Sequence, residues 1–143
     1  MREILFKGKK FFDYDDMDGK WVYGHLVVRP EYDAGEDKYF ICESGHRYIP
    51  CLSKMPCTYK VVPESVCQYT SMKDKNGERI FEGDIVRGEN WLHKNNKIYE
   101  VVFCEGCFYL MDSGCRMWHH DHIEDIEVIG NIHDNRELLE VER

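Results

Sequence analysis

The sequence predicts a mainly β fold: a small antiparallel β subdomain over residues 1–62, then an SH3-like barrel over 63–143 with one or two short helices. Three observations predict it. The apolar runs are short, turn-forming residues recur between them, and the spacing leaves little room for the crossover helices that a parallel sheet requires.

Taken in order, residues 3–6 form a first short strand. Asp18-Gly19 turns the chain into WVYGHLVV at 21–28, whose alternation places Trp21, Tyr23, His25 and Val27 on one face. A polar loop at 30–38 precedes two further β-type runs, 38–42 and 47–51. Thr58 to Val62 (TYKVV) is strand-like, and Pro63 ends it, because proline suits the first turn of the helical segment that Glu64 and Ser65 continue. Asn76-Gly77 predicts a two-residue hairpin turn between strands at 69–72 and 79–81, and Glu82-Gly83 turns the chain into Asp84-Ile85-Val86. Glu105-Gly106 separates strands at 98–104 and 107–111, and 126–132 supplies another apolar run. At the end, Asp134 with Glu137 three residues later predicts a capped short helix.

Composition supports a folded chain. Of 143 residues, 43% are hydrophobic and 13% aromatic, enough to build a core at a size where folding buries roughly two thirds of the chain's surface. Nineteen Lys and Arg against 27 Asp and Glu leave a net charge of −8, which disfavours nucleic acid and anionic membrane as partners. The acidity gathers late, from Asp121 to Glu142, as a solvated face would. No apolar run approaches a membrane span, and MREILFKGKKFF lacks the pattern of a secretory signal, so a cytoplasmic protein is expected. Seven cysteines, an odd number, are expected as free thiols there.

Three stretches carry a family resemblance: MREILFKGK with GKWVYG, the central VVPESVCQYTSMKDKNGERIFEGDIV, and the closing EVIGNIHDNRELLE. Together the sequence resembles the YopX family of phage and prophage proteins. The central segment is the most specific, with Gln68, Tyr69, Thr70, Asp74, Asn76-Gly77, Glu82-Gly83-Asp84 and Ile85-Val86 in order. Cys67 stands where that family usually has Gly, Ser71-Met72 replaces a Gly-Leu pair, and Arg136 takes a position often held by Pro. The missing glycines bear on the backbone between 67 and 72. The resemblance implies a mostly β fold, an SH3-like C-terminal part and a phage or mobile-element origin, and it brings no assigned activity.

Several constellations could carry chemistry. Cys104-x-x-Cys107, Cys115, His119, His120 and His122 have the residue types of a structural zinc site, although Glu105-Gly106 serves equally well as a plain hairpin turn and no second Cys-x-x-Cys is present. The Gly-x-Phe of Gly106-Cys107-Phe108 is what matches the family there, so a metal-free segment is the favoured reading and no cofactor is expected. The His cluster beside Asp121 could alternatively respond to pH. Glu82 and Asp84 read first as turn residues. Trp91, in a polar stretch, is a candidate interface anchor, and Tyr69 and Asp84 are the other candidate binding residues. No phosphate loop, nucleophile elbow, dinucleotide fingerprint or zinc-protease motif occurs. The expectation is a non-enzymatic accessory protein that binds a second copy of itself or a host protein. The alternatives are a small-substrate enzyme centred on Tyr69 and Asp84, or an acidic DNA mimic.

Overall fold

Strands form where apolar or alternating runs lie between turn residues, and the computed structural model contains eleven of them and two short 3₁₀ segments among the described residues. It describes residues 2–11, 19–29, 39–43, 57–90, 94–112, 115–117 and 123–140, with side chains described at all of these except 115–117. The expected strand at 47–51 lies outside them. The chain divides into two compact units, Met1–Gln68 and Tyr69–Arg143.

In the first unit, β1 (Phe6–Lys9), β2 (Trp21–Val28), β3 (Tyr39–Glu43) and β4 (Thr58–Lys60) form an antiparallel array in the order β4-β3-β2-β1. The start of β5 (Cys67–Lys73) pairs with the other side of β1, Phe6 opposite Gln68 and Lys7 opposite Cys67. Alternation along β2 turns Val22 inward, where it joins Ile41 and Val61 as a buried cluster with Phe6, Tyr39, Tyr59 and Val66 against it. On the opposite face Trp21 lies under two cations, with Lys7 Nζ 4.8 Å and Lys9 Nζ 5.7 Å from its centroid. Gly24 is obligatory, since a Cβ there would collide with the Cys42 carbonyl of the neighbouring strand. Pro63 does start a helical turn, the 3₁₀ segment Pro63–Ser65. Ser65 fastens it: its buried hydroxyl donates to the Val62 carbonyl at 2.7 Å and accepts the Lys9 N–H at 2.8 Å.

In the second unit the rest of β5 forms a hairpin with β6 (Arg79–Phe81). The remaining strands are β7 (Asp84–Asn90), β8 (Asn95–Cys104), β9 (Cys107–Asp112), β10 (Cys115–Met117) and β11 (Ile123–Asn131), in the order β10-β9-β8-β7-β11. All their pairings are antiparallel, and among the described residues this sheet has two ends and does not close on itself. Its core is Ile80, Val86, Tyr99, Val101, Leu110 and Ile123, with Ile126 and Val128 packed against it.

The first strand begins at Phe6 and runs to Lys9, later than the expected 3–6, and three further local features depart from the sequence expectation. The Asn76-Gly77 hairpin is not the two-residue type: only Gly77 has positive φ (83°), Gly77 N–H donates to the Asp74 carbonyl at 3.0 Å, and Asp74 N–H donates to Glu78 at 2.8 Å. This is a three-residue loop that ends in a left-handed glycine, selected because the Asp74 carboxylate takes up the N–H groups of Asn76 and Glu78. Second, Ser71 holds φ at 70° at the irregularity between the paired residues Tyr69 and Lys73. A position where the family usually has glycine thus keeps the glycine-type backbone with a serine on it, whereas Cys67 is an ordinary strand residue. Third, the closing 3₁₀ segment Arg136–Leu139 is capped by Asn135 without a side-chain bond, not by Asp134. Asn131 causes the shift: its Oδ1 accepts the N–H groups of His133 and Asp134 at 3.0 Å each, and its Nδ2 donates to the Asp134 carboxylate at 3.1 Å.

Candidate functional site

The second unit buries two carboxylates, Asp74 and Asp84, and a buried charge must be satisfied or displaced. Asp84, 2% exposed, accepts the Phe81 N–H at 2.8 Å across the turn, while Gly83 N–H donates to Val101 at 2.8 Å and Gly83 carbonyl accepts Ile132 N–H at 2.9 Å. The Glu82-Gly83-Asp84 element therefore works as a clasp joining β6, β7, β8 and the end of β11. Tyr69 is buried beside it, its ring 5.5 Å from that of Phe81 and 5.8 Å from the Arg79 guanidinium carbon. The structure thus brings Tyr69 and Asp84 to the same residue, one on the ring of Phe81 and the other on its N–H. Trp91 lies outside the described residues.

Asp74 is a second clasp. Its Oδ1 accepts Asn76 and Glu78 N–H at 2.8 and 2.9 Å, and its Oδ2 accepts Val128 N–H at 3.0 Å. Lys75 N–H donates to the Ile126 carbonyl at 2.8 Å, and its ammonium lies 3.5 Å from Glu127. These bonds reach β11 at its bulge, where Asp125 has φ 50° and the register with β7 shifts between Glu124 and Glu127. Burial raises the Asp74 pKa, but the backbone donors of Val128, Glu78 and Asn76 and the Lys75 charge outweigh it, so the carboxyl sits below its ordinary value.

An apolar surface adjoins this hairpin. Along β8, Tyr99 and Val101 point into the core, and the same alternation carries Phe103 to that face beyond it, 49% exposed. Phe108 faces Phe103 across the β8–β9 ladder, ring centroids 5.0 Å apart. Phe108 also lines a small slot with Met72, Ile80, Val101, Leu110 and Ile126, a cavity of about 50 Å³. Sequence reading missed this surface, although Phe103 and Phe108 stand symmetrically about Glu105-Gly106 and had to meet if that dipeptide turned. A more polar concavity of about 220 Å³, lined by Glu100, Ile132, Arg136, Leu139 and Glu140, lies at the closing 3₁₀ segment.

The Glu105-Gly106 turn has φ 51° and 82°, the signature of a type I′ hairpin, and it sets Cys104 directly opposite Cys107 as free thiols. Cys115 is not brought to them. Its backbone pairs with Asp112 at the far end of β9, roughly 17 Å from Cys107 at 3.4 Å per residue. His119, His120 and His122 lie outside the described residues. Among the described residues no three His, Cys, Asp or Glu side chains gather as a metal site would require, and no helix is long and apolar enough to cross a membrane.

The model of the YopX protein family matches residues 10–140. The crystal structure of protein EF1440 from Enterococcus faecalis is similar with a TM-score of 0.52, at 22% identity, over 97% of this chain and 99% of that one, a likeness of fold. No curated protein matches the chain.

Proposed function

The chain belongs to the YopX family, and from that premise we infer that it is a phage- or prophage-derived cytoplasmic accessory protein that acts by binding protein, itself or a host factor, and not by catalysis. In this reading the second unit is SH3-like in its strand arrangement, with a sheet that is open among the described residues in place of the expected closed barrel, and its recognition surface is the Phe103–Phe108 pair with the adjoining slot. The observation that carries it is the continuation of a core face into solvent: the row Tyr99, Val101, Phe103 passes from fully buried to half exposed within one strand. Exposed aromatics beside a pocket are the usual anchors of protein interfaces. The slot's ~50 Å³ is far below the roughly 300–1,000 Å³ of small-molecule sites, and it suits one inserted side chain. Asp84, which with Tyr69 is the centre of the small-substrate enzyme alternative, accepts a backbone N–H in a structural turn, as the other buried carboxylate, Asp74, does.

The test is self-association first, by light scattering over a concentration series, with Phe103→Ser beside the wild type. Phe103 is exposed enough that the substitution should leave the fold intact. Expected is a mass that rises with concentration and an approximately thirtyfold weaker association for the variant, corresponding to the ~2 kcal/mol of an aromatic hot spot. If the wild type is monomeric, the same variant is compared for capture of a host protein. Binding of either kind that is indifferent to Phe103→Ser overturns the assignment of this surface.

A further inference from the structure

The Cys104–Cys107 pair is left unexplained by a binding role, and its geometry is specific. Two positive φ angles close the chain in two residues, so the thiols share one register position at the hairpin's end. The closing pair of such a turn is hydrogen-bonded, with Cα atoms about 5.5 Å apart. That lies inside the roughly 4.4–6.8 Å window of disulfides, so the Cα spacing admits a bond once the strand ends draw slightly together. Cβ atoms in such a pair stand near the upper end of the ~4.5–5.5 Å range, wider than the ~3.8 Å a relaxed disulfide prefers. A bond formed there is strained and exposed, the two properties that make a disulfide easily reduced again. Exposure also differs between the two thiols: Cys107 is exposed and Cys104 half-buried. By contrast Cys67 is buried, with its thiol donating to the Ser65 carbonyl at 3.3 Å, and Cys42 is buried as well.

We propose that Cys104 and Cys107 form a reversible cross-strand dithiol/disulfide couple that exchanges with low-molecular-weight disulfides such as oxidised glutathione. The exposed Cys107 thiolate attacks one sulfur of glutathione disulfide, making a Cys107–glutathione bond and releasing one glutathione thiolate, which takes up a proton. The Cys104 thiolate then attacks Cys107 Sγ, forming the protein disulfide and expelling the second glutathione. Two protein thiols are oxidised and one glutathione disulfide is reduced to two glutathiones, and reduced glutathione in excess runs the sequence backwards.

The experiment equilibrates the full chain in glutathione buffers of increasing disulfide fraction, quenches with acid, alkylates the remaining thiols and maps peptides by mass. Expected is a peptide bearing both Cys104 and Cys107 that becomes lighter by two hydrogens and resists alkylation, while Cys67 stays alkylatable after unfolding; dithiothreitol restores both thiols. Cys104→Ser should trap glutathione on Cys107, because the resolving thiol is gone. The couple is overturned if both thiols remain alkylatable in the most oxidising buffer. A stable glutathione adduct on wild-type Cys107, or a bridge from either cysteine to another of the seven, is equally fatal. The decisive readings come from the wild type, so a misfolded variant does not rescue the idea.

Discussion

At the residue scale, Asp74 is where chemistry and fold meet most directly. One carboxylate holds three backbone donors from the hairpin and from β11, and charge-assisted bonds of this kind are individually worth more than neutral ones. Asp74→Ala should cost about 2–3 kcal/mol in urea unfolding, whereas Asp74→Asn, which keeps one acceptor oxygen, should cost less. The pH dependence follows from the sign of the shift. The folded-state pKa lies below the ordinary 3.8, so the folded protein binds fewer protons at this site than the unfolded chain. The stability it contributes is fully present above the unfolded value and is lost as pH falls through the folded one. Acidification below about pH 4 should therefore destabilise the wild type more than Asp74→Asn. Equal acid sensitivity of the two proteins would show that the carboxylate is not linked to folding. Asp84, by contrast, was readable from sequence as a turn residue, because an Asp after Glu-Gly has backbone N–H groups in local reach. The tie from Asp74 to Val128 was not, since 54 residues separate the partners and no local rule reports on a contact that distant.

At the element scale, turn chemistry determined which expectations held. Glu105-Gly106 adopts the two-residue hairpin expected of it, whereas Asn76-Gly77 does not, because an Asp two residues before the Asn competes for the loop's N–H groups. The Asp134 cap was displaced in the same way, by Asn131 acting on the N–H groups of His133 and Asp134. Dipeptide rules capture the preferred φ angles and overlook a nearby side chain that offers the backbone an alternative partner. Ser71 turns this into a measurable quantity. A non-glycine residue at φ 70° is strained by about 1 kcal/mol, partly offset in any replacement by the greater freedom glycine gains in the unfolded chain. Ser71→Gly should therefore stabilise the protein by about 0.5 kcal/mol, read as a raised urea midpoint at unchanged slope. A lowered midpoint would mean that the serine side chain contributes more than the strain it imposes.

At the scale of the whole molecule, short strands and frequent turns made the mainly β architecture legible, while the strand order was not, because pairing partners are chosen by burial across the sheet. The same burial ranks the two units. Residues 69–143 carry 9 cations and 16 carboxylates, against 10 and 11 in residues 1–68, so self-repulsion weighs on the second unit. Exposed charges are screened within about 8–10 Å and cost tenths of a kcal/mol per pair, whereas a fully buried large apolar side chain contributes roughly 1.5–3 kcal/mol. Among the described residues, the second unit's cluster is Ile80, Val86, Tyr99, Val101, Leu110 and Ile123, and the first unit's is Val22, Ile41 and Val61. Burial outweighs charge, and the second unit should be the more stable. Native-state hydrogen exchange would read this directly, because amides that open only on global unfolding report the highest free energies. The amides of Val86 and Val101, on neighbouring strands β7 and β8, are expected to exchange more slowly than those of Val22 and Ile41, and the gap should persist in high salt. If the β2–β3 amides outlast those of β7–β8, the core does not govern the ranking; if the order inverts only at low ionic strength, the acidic field has been underweighted.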